Sequence, residues 1–194
     1  PTLEGVKIMA DINAFNLLHP LVQQELYRMK WTQLRFIQVE AIKSIYKNEN
    51  HLVISASTAS GKTEAAFLPI ASEMLKNPVS GIYTIYIGPL KALINDQFRR
   101  VEELCQRSEI PVHKWHGDVL AGKKKVIKTS PKGILLITPE SLESIFINHT
   151  SNLFKMFNNL KYIVIDEMHS FIGEERGIHL KSLILRLNKI ASQD

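Results

Sequence analysis

Four short apolar runs, each followed by a stretch with helical periodicity, constrain the fold of this chain more than any other feature. They lie at Leu52-Val53-Ile54 and at residues 82–87, 134–137 and 162–165, and all are rich in β-branched or aromatic residues. None alternates apolar with polar, as a strand with one wet face does. Continuous apolar runs are expected where helices cover both faces of a parallel sheet. Between the runs, Leu90, Leu93, Ile94, Phe98, Val101, Leu104 and Cys105 trace one helical face, and Leu180, Leu183, Ile184, Leu187 and Ile190 trace another. Residues 14–29 and 36–46 read as two helices ahead of the first run. The alternation predicts an α/β fold of right-handed βαβ units: a doubly wound, mostly parallel sheet with helices on both faces. Ligands of such sheets bind beyond the carboxyl ends of the strands, so the sites are expected just after the apolar runs.

The totals narrow the class further. A chain of 194 residues fits one domain, here read as residues 31–194 with a helical extension over residues 1–30. No stretch approaches the ~18 consecutive apolar residues of a membrane span, and no secretory pattern opens the chain, so no membrane partner is expected. The single cysteine, Cys105, excludes an internal disulfide framework and a cysteine-rich zinc site. Its place in an apolar helical stripe predicts a buried structural thiol, which fits a reducing, cytoplasmic setting. The net charge of +5 suits a polyanionic partner without establishing one.

Directly after the first apolar run comes Ala56-Ser57-Thr58-Ala59-Ser60-Gly61-Lys62-Thr63, followed by a helical pattern. Apart from Ala56, which stands where the general pattern has its first glycine, this is a phosphate-binding loop. Small residues let backbone N–H groups close around phosphate oxygens, and a helix starting near Lys62 aims its positive end at the same anion. Thr58, Ala59, Ser60, Gly61, Lys62 and Thr63 are therefore the candidate nucleotide-binding residues. Lys62 would neutralise the β- and γ-phosphates, and the Thr63 hydroxyl would ligate Mg²⁺. After the last run stands Asp166-Glu167-Met168-His169. Paired carboxylates ending an apolar strand suit a metal-assisted hydrolysis. Asp166 would hold Mg²⁺ through its water shell, and Glu167 would orient and deprotonate an attacking water. Taken alone, the same Asp could be a helix N-cap.

In this order the motifs resemble those of superfamily-two helicases of the DExH type, in particular the first RecA-like motor domain of the large helicase-related group. Residues 56–63 match motif I, and Asp166 to His169 match motif II. Pro89-Leu90-Lys91 with Ala92-Leu93 is similar to motif Ia, and Thr138-Pro139-Glu140 to the TP-containing motif of the group. Gly117-Asp118 resembles a further strand-contacting turn. Gln38 stands where the family reads adenine, and the tail from Gly173 through Arg176-Gly177 looks like the group's sequence after motif II. The resemblance covers roughly Trp31 to Leu187.

That resemblance implies ATP and Mg²⁺ as cofactors, DNA or RNA as partner, and a second RecA-like domain of the same native chain. It implies nucleic-acid contacts from Pro89, Leu90, Lys91, Gly117, Asp118, Thr138, Pro139 and Glu140, with Pro89 and Pro139 each opening a helix at its first turn. Gln38 would read the adenine edge unless it is a surface glutamine, and His169 would couple the nucleotide site to the neighbouring domain. The chain departs from the pattern at Ala59, where many relatives have Gly. It departs again at Arg35, where DEAD-box proteins usually carry Thr. Both favour the DExH branch. With neither a second motor domain nor its arginine finger before Asp194, the chain alone is expected to bind nucleotide and hydrolyse it very slowly. The function implied is ATP-driven unwinding or translocation. Its rivals are a double-strand translocase that separates no strands and a non-enzymatic module that uses ATP as a regulatory ligand.

Overall fold

The computed structural model describes residues 12–47, 51–57 and 59–192. Two compact units are present, Pro1–Asn77 with Arg100–Ile110 and Pro78–Arg99 with Pro111–Asp194.

The first unit holds α1 (Ile12–Leu17), α2 (Pro20–Arg28), α3 (Phe36–Lys47) and α4 (Lys62–Lys76). Where one helix was expected over residues 14–29 there are two. Pro20 lacks an N–H and takes the first position of α2, and His19 Nδ1 caps that helix by accepting the Leu21 N–H at 3.3 Å. The break is tied to α4 on both sides. His19 N–H donates to Ser72 Oγ at 3.0 Å, and Lys76 Nζ donates to the Leu17 carbonyl at 3.1 Å. Leu18, Val22, Leu26, Ile42, Phe67 and Leu68 form the core of this unit. Cys105 is buried, as expected, and burial pushes its thiol up to about 12. A second expectation fails here. Leu52-Val53-Ile54 is not a strand, and Val53 is 82% exposed. An extended segment becomes a strand only when a neighbouring edge takes its N–H and C=O groups, and this one has no assigned ladder partner among the described residues.

The second unit is built on four parallel strands, β1 (Gly81–Ile87), β2 (Val112–Trp115), β3 (Lys132–Ile137) and β4 (Tyr162–Ile165), in the order β2-β3-β1-β4. Three of these are the expected apolar runs. In β1 every residue is buried, so both faces are covered, as a continuous apolar run requires. The connections are α5 (Lys91–Leu104, of which residues from Arg100 belong to the first unit), α6 (Ala121–Thr129), α7 (Pro139–Asn148) and α8 (Leu153–Phe157), with α9 (Glu175–Ala191) last. One face packs Ile85, Ile87, Leu135 and Ile137 against Ile127 of α6, Leu142 and Ile145 of α7, Phe157 of α8, and Leu183 and Leu187 of α9. Lys123, Lys124 and Lys125 lie in α6.

A charged clamp joins α7 to α9. Glu143 accepts from both terminal nitrogens of Arg186, the Nη1 contact at 2.9 Å, and lies 2.8 Å from His179 Nε2. The Arg186 guanidinium holds the Glu143 carboxyl down at about 2, against an ordinary value of 4.5. The folded value is the lower one, so the clamp stabilises fully above the ordinary carboxylate range and is lost as pH falls toward 2. Thermal unfolding midpoints of the wild type should therefore drop more steeply between pH 5 and pH 3 than those of Glu143→Gln. Parallel slopes would show that the clamp contributes nothing.

Cross-strand register puts Trp115, Ile137, Ile87 and Ile165 in one row, so all four strands end together at one edge. Among the described residues, no helix is long and apolar enough to cross a membrane.

Candidate functional site

The phosphate loop belongs to the first unit and opens α4. Gly61 is the residue before the helix and has φ +89°, a conformation that costs a glycine little. Lys62 is folded back into the loop, its Nζ donating to the carbonyls of Ala56 at 2.7 Å and Ser57 at 3.0 Å. A cation is thus fixed where the small-residue loop and the start of α4 would receive an anion. Ser60 Oγ is buried without a hydrogen-bond partner among the described residues. Such an orphan is costly unless a ligand satisfies it. Thr63 lies half-buried in the first turn of α4. Thr58 lies outside the described residues.

Gln38 is 0% exposed, which removes the surface-glutamine alternative. Its Oε1 accepts the Arg35 N–H at 2.9 Å, so it reaches back over the start of α3 like the third residue of a capping box. Its Nε2 has no partner among the described residues and sits so close to Gly61 that a Cβ there would lie 2.5 Å away. The two departures from the motif pattern also meet here, because Arg35 Nη1 donates to the Ala59 carbonyl. Ala59 has φ +59°, which for an alanine costs about 1–2 kcal/mol. Arg35 therefore helps hold the loop in a conformation Ala59 resists. Arg35→Ala should weaken Mg·nucleotide binding about fivefold, and adding Ala59→Gly should restore it, by fluorescence titration. Failure of the double variant to recover would sever the link.

In the second unit, Asp166 extends the β4 ladder by one residue, its N–H donating to the Ile87 carbonyl at 2.9 Å. Its carboxylate is anchored at both oxygens. Oδ2 accepts from the Tyr86 hydroxyl of β1, and Oδ1 accepts the Glu167 N–H at 3.0 Å. Glu167 has φ +49°, a strained position for a glutamate that re-aims the chain after the strand. Its Oε2 lies 3.4 Å from Nδ1 of His169, which is 80% exposed. Sequence reasoning missed Tyr86. Its one signal was a hydroxyl near the end of the run, which Tyr83 and Thr84 also offer within it.

The loops after the other strands share the edge with Asp166. Pro89 is buried and Leu90 exposed, and α5 starts only at Lys91. Pro89 thus precedes the helix by two residues instead of opening it. Ile94 N–H bonds the Leu90 carbonyl, leaving Pro89 to turn the chain. Pro139 does open α7, and Thr138 caps it, its Oγ1 accepting the Ser141 N–H at 3.4 Å. Lys91 Nζ lies 3.1 Å from Asp118 Oδ1, and a Cβ on Gly117 would lie 3.3 Å from that nitrogen. Behind them, Asn95 Oδ1 takes contacts from Lys114 Nζ at 2.6 Å and His116 Nε2 at 3.3 Å. Burial lowers the His116 pKa, which favours a neutral ring. Glu140 pairs with Arg176 at 2.7 Å. Pro89, Leu90, Lys91, Gly117, Asp118, Thr138, Pro139 and Glu140 are thereby gathered along one sheet edge, though they lie far apart in the chain. Among the described residues no cluster of metal-ligating side chains forms by itself.

The DEAD/DEAH box helicase family model matches residues 35–193. The ATP-dependent helicase Lhr-Core of Methanocaldococcus jannaschii is 32% identical over 203 aligned residues, covering 96% of this chain and 24% of that protein. That of Saccharolobus solfataricus is 36% identical, covering 90% and 21%. Among solved structures, Mycobacterium smegmatis helicase Lhr bound to ssDNA and AMP-PNP superimposes with a TM-score of 0.78 at 25% identity, covering 93% of this chain and 24% of that one. The chain thus spans about a quarter of the length of these relatives. With the family model matching most of its length, the chain belongs to the DEAD/DEAH box helicase family.

Proposed function

We propose that this chain is the ATP-binding motor domain of a nucleic-acid-dependent ATPase that couples hydrolysis to unwinding or translocation. The observation that carries the reading is the phosphate loop itself, with Lys62 pinned inside it and Ser60 Oγ left without a partner among the described residues. Residues 31–194 would form the ATP-binding domain and residues 1–30 an extension of it, in a cytoplasmic protein.

In this reading Ala59, Ser60, Gly61, Lys62 and Thr63 bind the phosphates, and Gln38 offers its spare amide N–H to the adenine edge. The residues present suit Mg²⁺: a hydroxyl at Thr63 and a fixed carboxylate at Asp166, both hard oxygen donors. When bound, Mg²⁺ would neutralise charge on the β- and γ-phosphates. Lys62 orients the γ-phosphate, and Tyr86 keeps Asp166 in one rotamer. Glu167 accepts the proton of the attacking water while its backbone holds the carboxylate clear of the strand. His169, exposed beside Glu167, reports that state to a second motor domain. Nucleic-acid phosphates meet the N–H groups at the start of α7, the Lys91 ammonium and the turn at Gly117-Asp118.

Single-stranded nucleic acid is the favoured partner, since the mycobacterial relative was captured with ssDNA. Strand displacement by the whole protein tests the reading. Displacement of a labelled strand that requires ATP is expected. ATP-driven movement along duplex without displacement would favour the translocase. No ATP turnover on any nucleic acid would favour the regulatory module.

A further inference from the structure

Arg176 is the second residue of α9, in a tail that the nucleotide chemistry leaves unused. Its side chain reaches three separate segments of the second unit. Nε donates to Glu140 Oε1 at 2.9 Å, in the first turn of α7. Nη2 donates to the Pro89 carbonyl at 2.9 Å, in the loop after β1. The guanidinium carbon also lies 5.5 Å from the ring centre of buried Phe171. A planar, multi-donor fork can span a carboxylate and a carbonyl while lying over a ring, which a lysine cannot do.

Phe171 in turn is chained to the acidic pair by two tight backbone bonds. Ser170 N–H donates to the Glu167 carbonyl at 2.8 Å, and Phe171 N–H to the Met168 carbonyl at 3.0 Å. Gly177 seats the arrangement, because a Cβ there would lie 2.1 Å from the Phe171 carbonyl oxygen. Only glycine lets α9 start against that backbone. A path of hydrogen bonds and connecting backbone therefore runs from Glu167 through Ser170 and Phe171 to Arg176, and on to Pro89 and Glu140.

Stability alone does not account for this. The Arg176–Glu140 pair is largely solvent-exposed, and such pairs contribute little. We propose that Arg176, seated by Gly177, is a positioning residue that couples the turn after the acidic pair to the two loops that would grip a nucleic-acid strand. The proposal rests on the motor reading above. When the Glu167–Phe171 turn shifts with nucleotide state, Arg176 carries the shift to the Pro89 carbonyl and Glu140, and so sets how the loops present Lys91 and the start of α7.

The test uses the 194-residue chain and its Arg176→Ala, Arg176→Lys and Gly177→Ala variants. A fluorescein-labelled single-stranded oligonucleotide is titrated with and without Mg·AMP-PNP, and Mg·nucleotide affinity is measured separately. In Arg176→Ala, Mg·nucleotide affinity is expected to stay within twofold of wild type. Oligonucleotide affinity should fall about tenfold and stop responding to nucleotide. Arg176→Lys and Gly177→Ala should behave alike, since charge without the fork, or the fork without its seat, does not position the loops. Full rescue by lysine would overturn the proposal by making Arg176 a plain phosphate contact. Unchanged binding and unchanged nucleotide response in Arg176→Ala would overturn it as well, while leaving the motor reading intact. A wild-type chain that binds neither ligand would overturn both.

Discussion

Replacing Lys62 with alanine should lower the affinity of this chain for Mg·ADP by about a hundredfold while leaving it folded. The side chain donates to two loop carbonyls, Ala56 and Ser57, and these hydrogen bonds pin the cation inside the loop. Its removal costs charge-assisted contacts to phosphate worth about 1.5–3 kcal/mol each. It also leaves two carbonyl oxygens turned toward an anion. A loss of about 3 kcal/mol corresponds to roughly two orders of magnitude in Kd. The fold should hold, because the lysine is only half-buried and makes no core contact. Titration with a fluorescent ADP in Mg²⁺ reads the first effect, and an unchanged thermal midpoint reads the second. Equal affinity in the variant would mean that nucleotide does not enter through this loop.

Gly133→Ala should be the most damaging single substitution to the fold. Gly133, the second residue of β3, has φ +86°, where an L residue costs about 1–2 kcal/mol. The larger problem is steric. A Cβ would stand 2.0 Å from the Pro111 carbonyl oxygen, and that oxygen accepts the Ile134 N–H at 2.9 Å. The obstacle is backbone that leads directly into β2, so it cannot swing aside without breaking the pairing of Val112 with Ile134. A cost of about 4 kcal/mol or more would remove a large share of a typical domain's stability. The expected result is mostly insoluble protein, or a Tm lowered by about 10 °C. Gly122→Ala is the contrast. Gly122 lies in α6 with nothing near its missing Cβ, so alanine there should raise Tm slightly.

What could be read from the sequence follows from where the information resides. β1 and β3 were legible because burial on both faces leaves a continuous apolar record, and β4 because its four residues are all apolar although only half-buried. Val112-His113-Lys114-Trp115 escaped notice because two of its four residues are polar, so no continuous apolar run marks it. Leu52-Val53-Ile54 misled in the other direction, since apolarity permits a strand but only a partner edge creates one. The phosphate loop and Asp166-Glu167 were visible as local spacing. Their supports were not. Tyr86 meets Asp166 across 80 positions, and Arg35 meets Ala59 across 24, contacts that no local pattern announces. Arg176 was noticed as part of a familiar tail, yet its partner at Pro89 is a backbone carbonyl, which carries no residue identity to read.

In the function proposed above, this chain drives a nucleic-acid motor with ATP. ATP turnover by the chain joined to a second motor domain, measured with and without single-stranded nucleic acid, tests it most directly. Stimulation of at least about tenfold by the strand is expected, as is its loss in Glu167→Gln with nucleotide binding retained. Turnover indifferent to nucleic acid, or undiminished in Glu167→Gln, would contradict it.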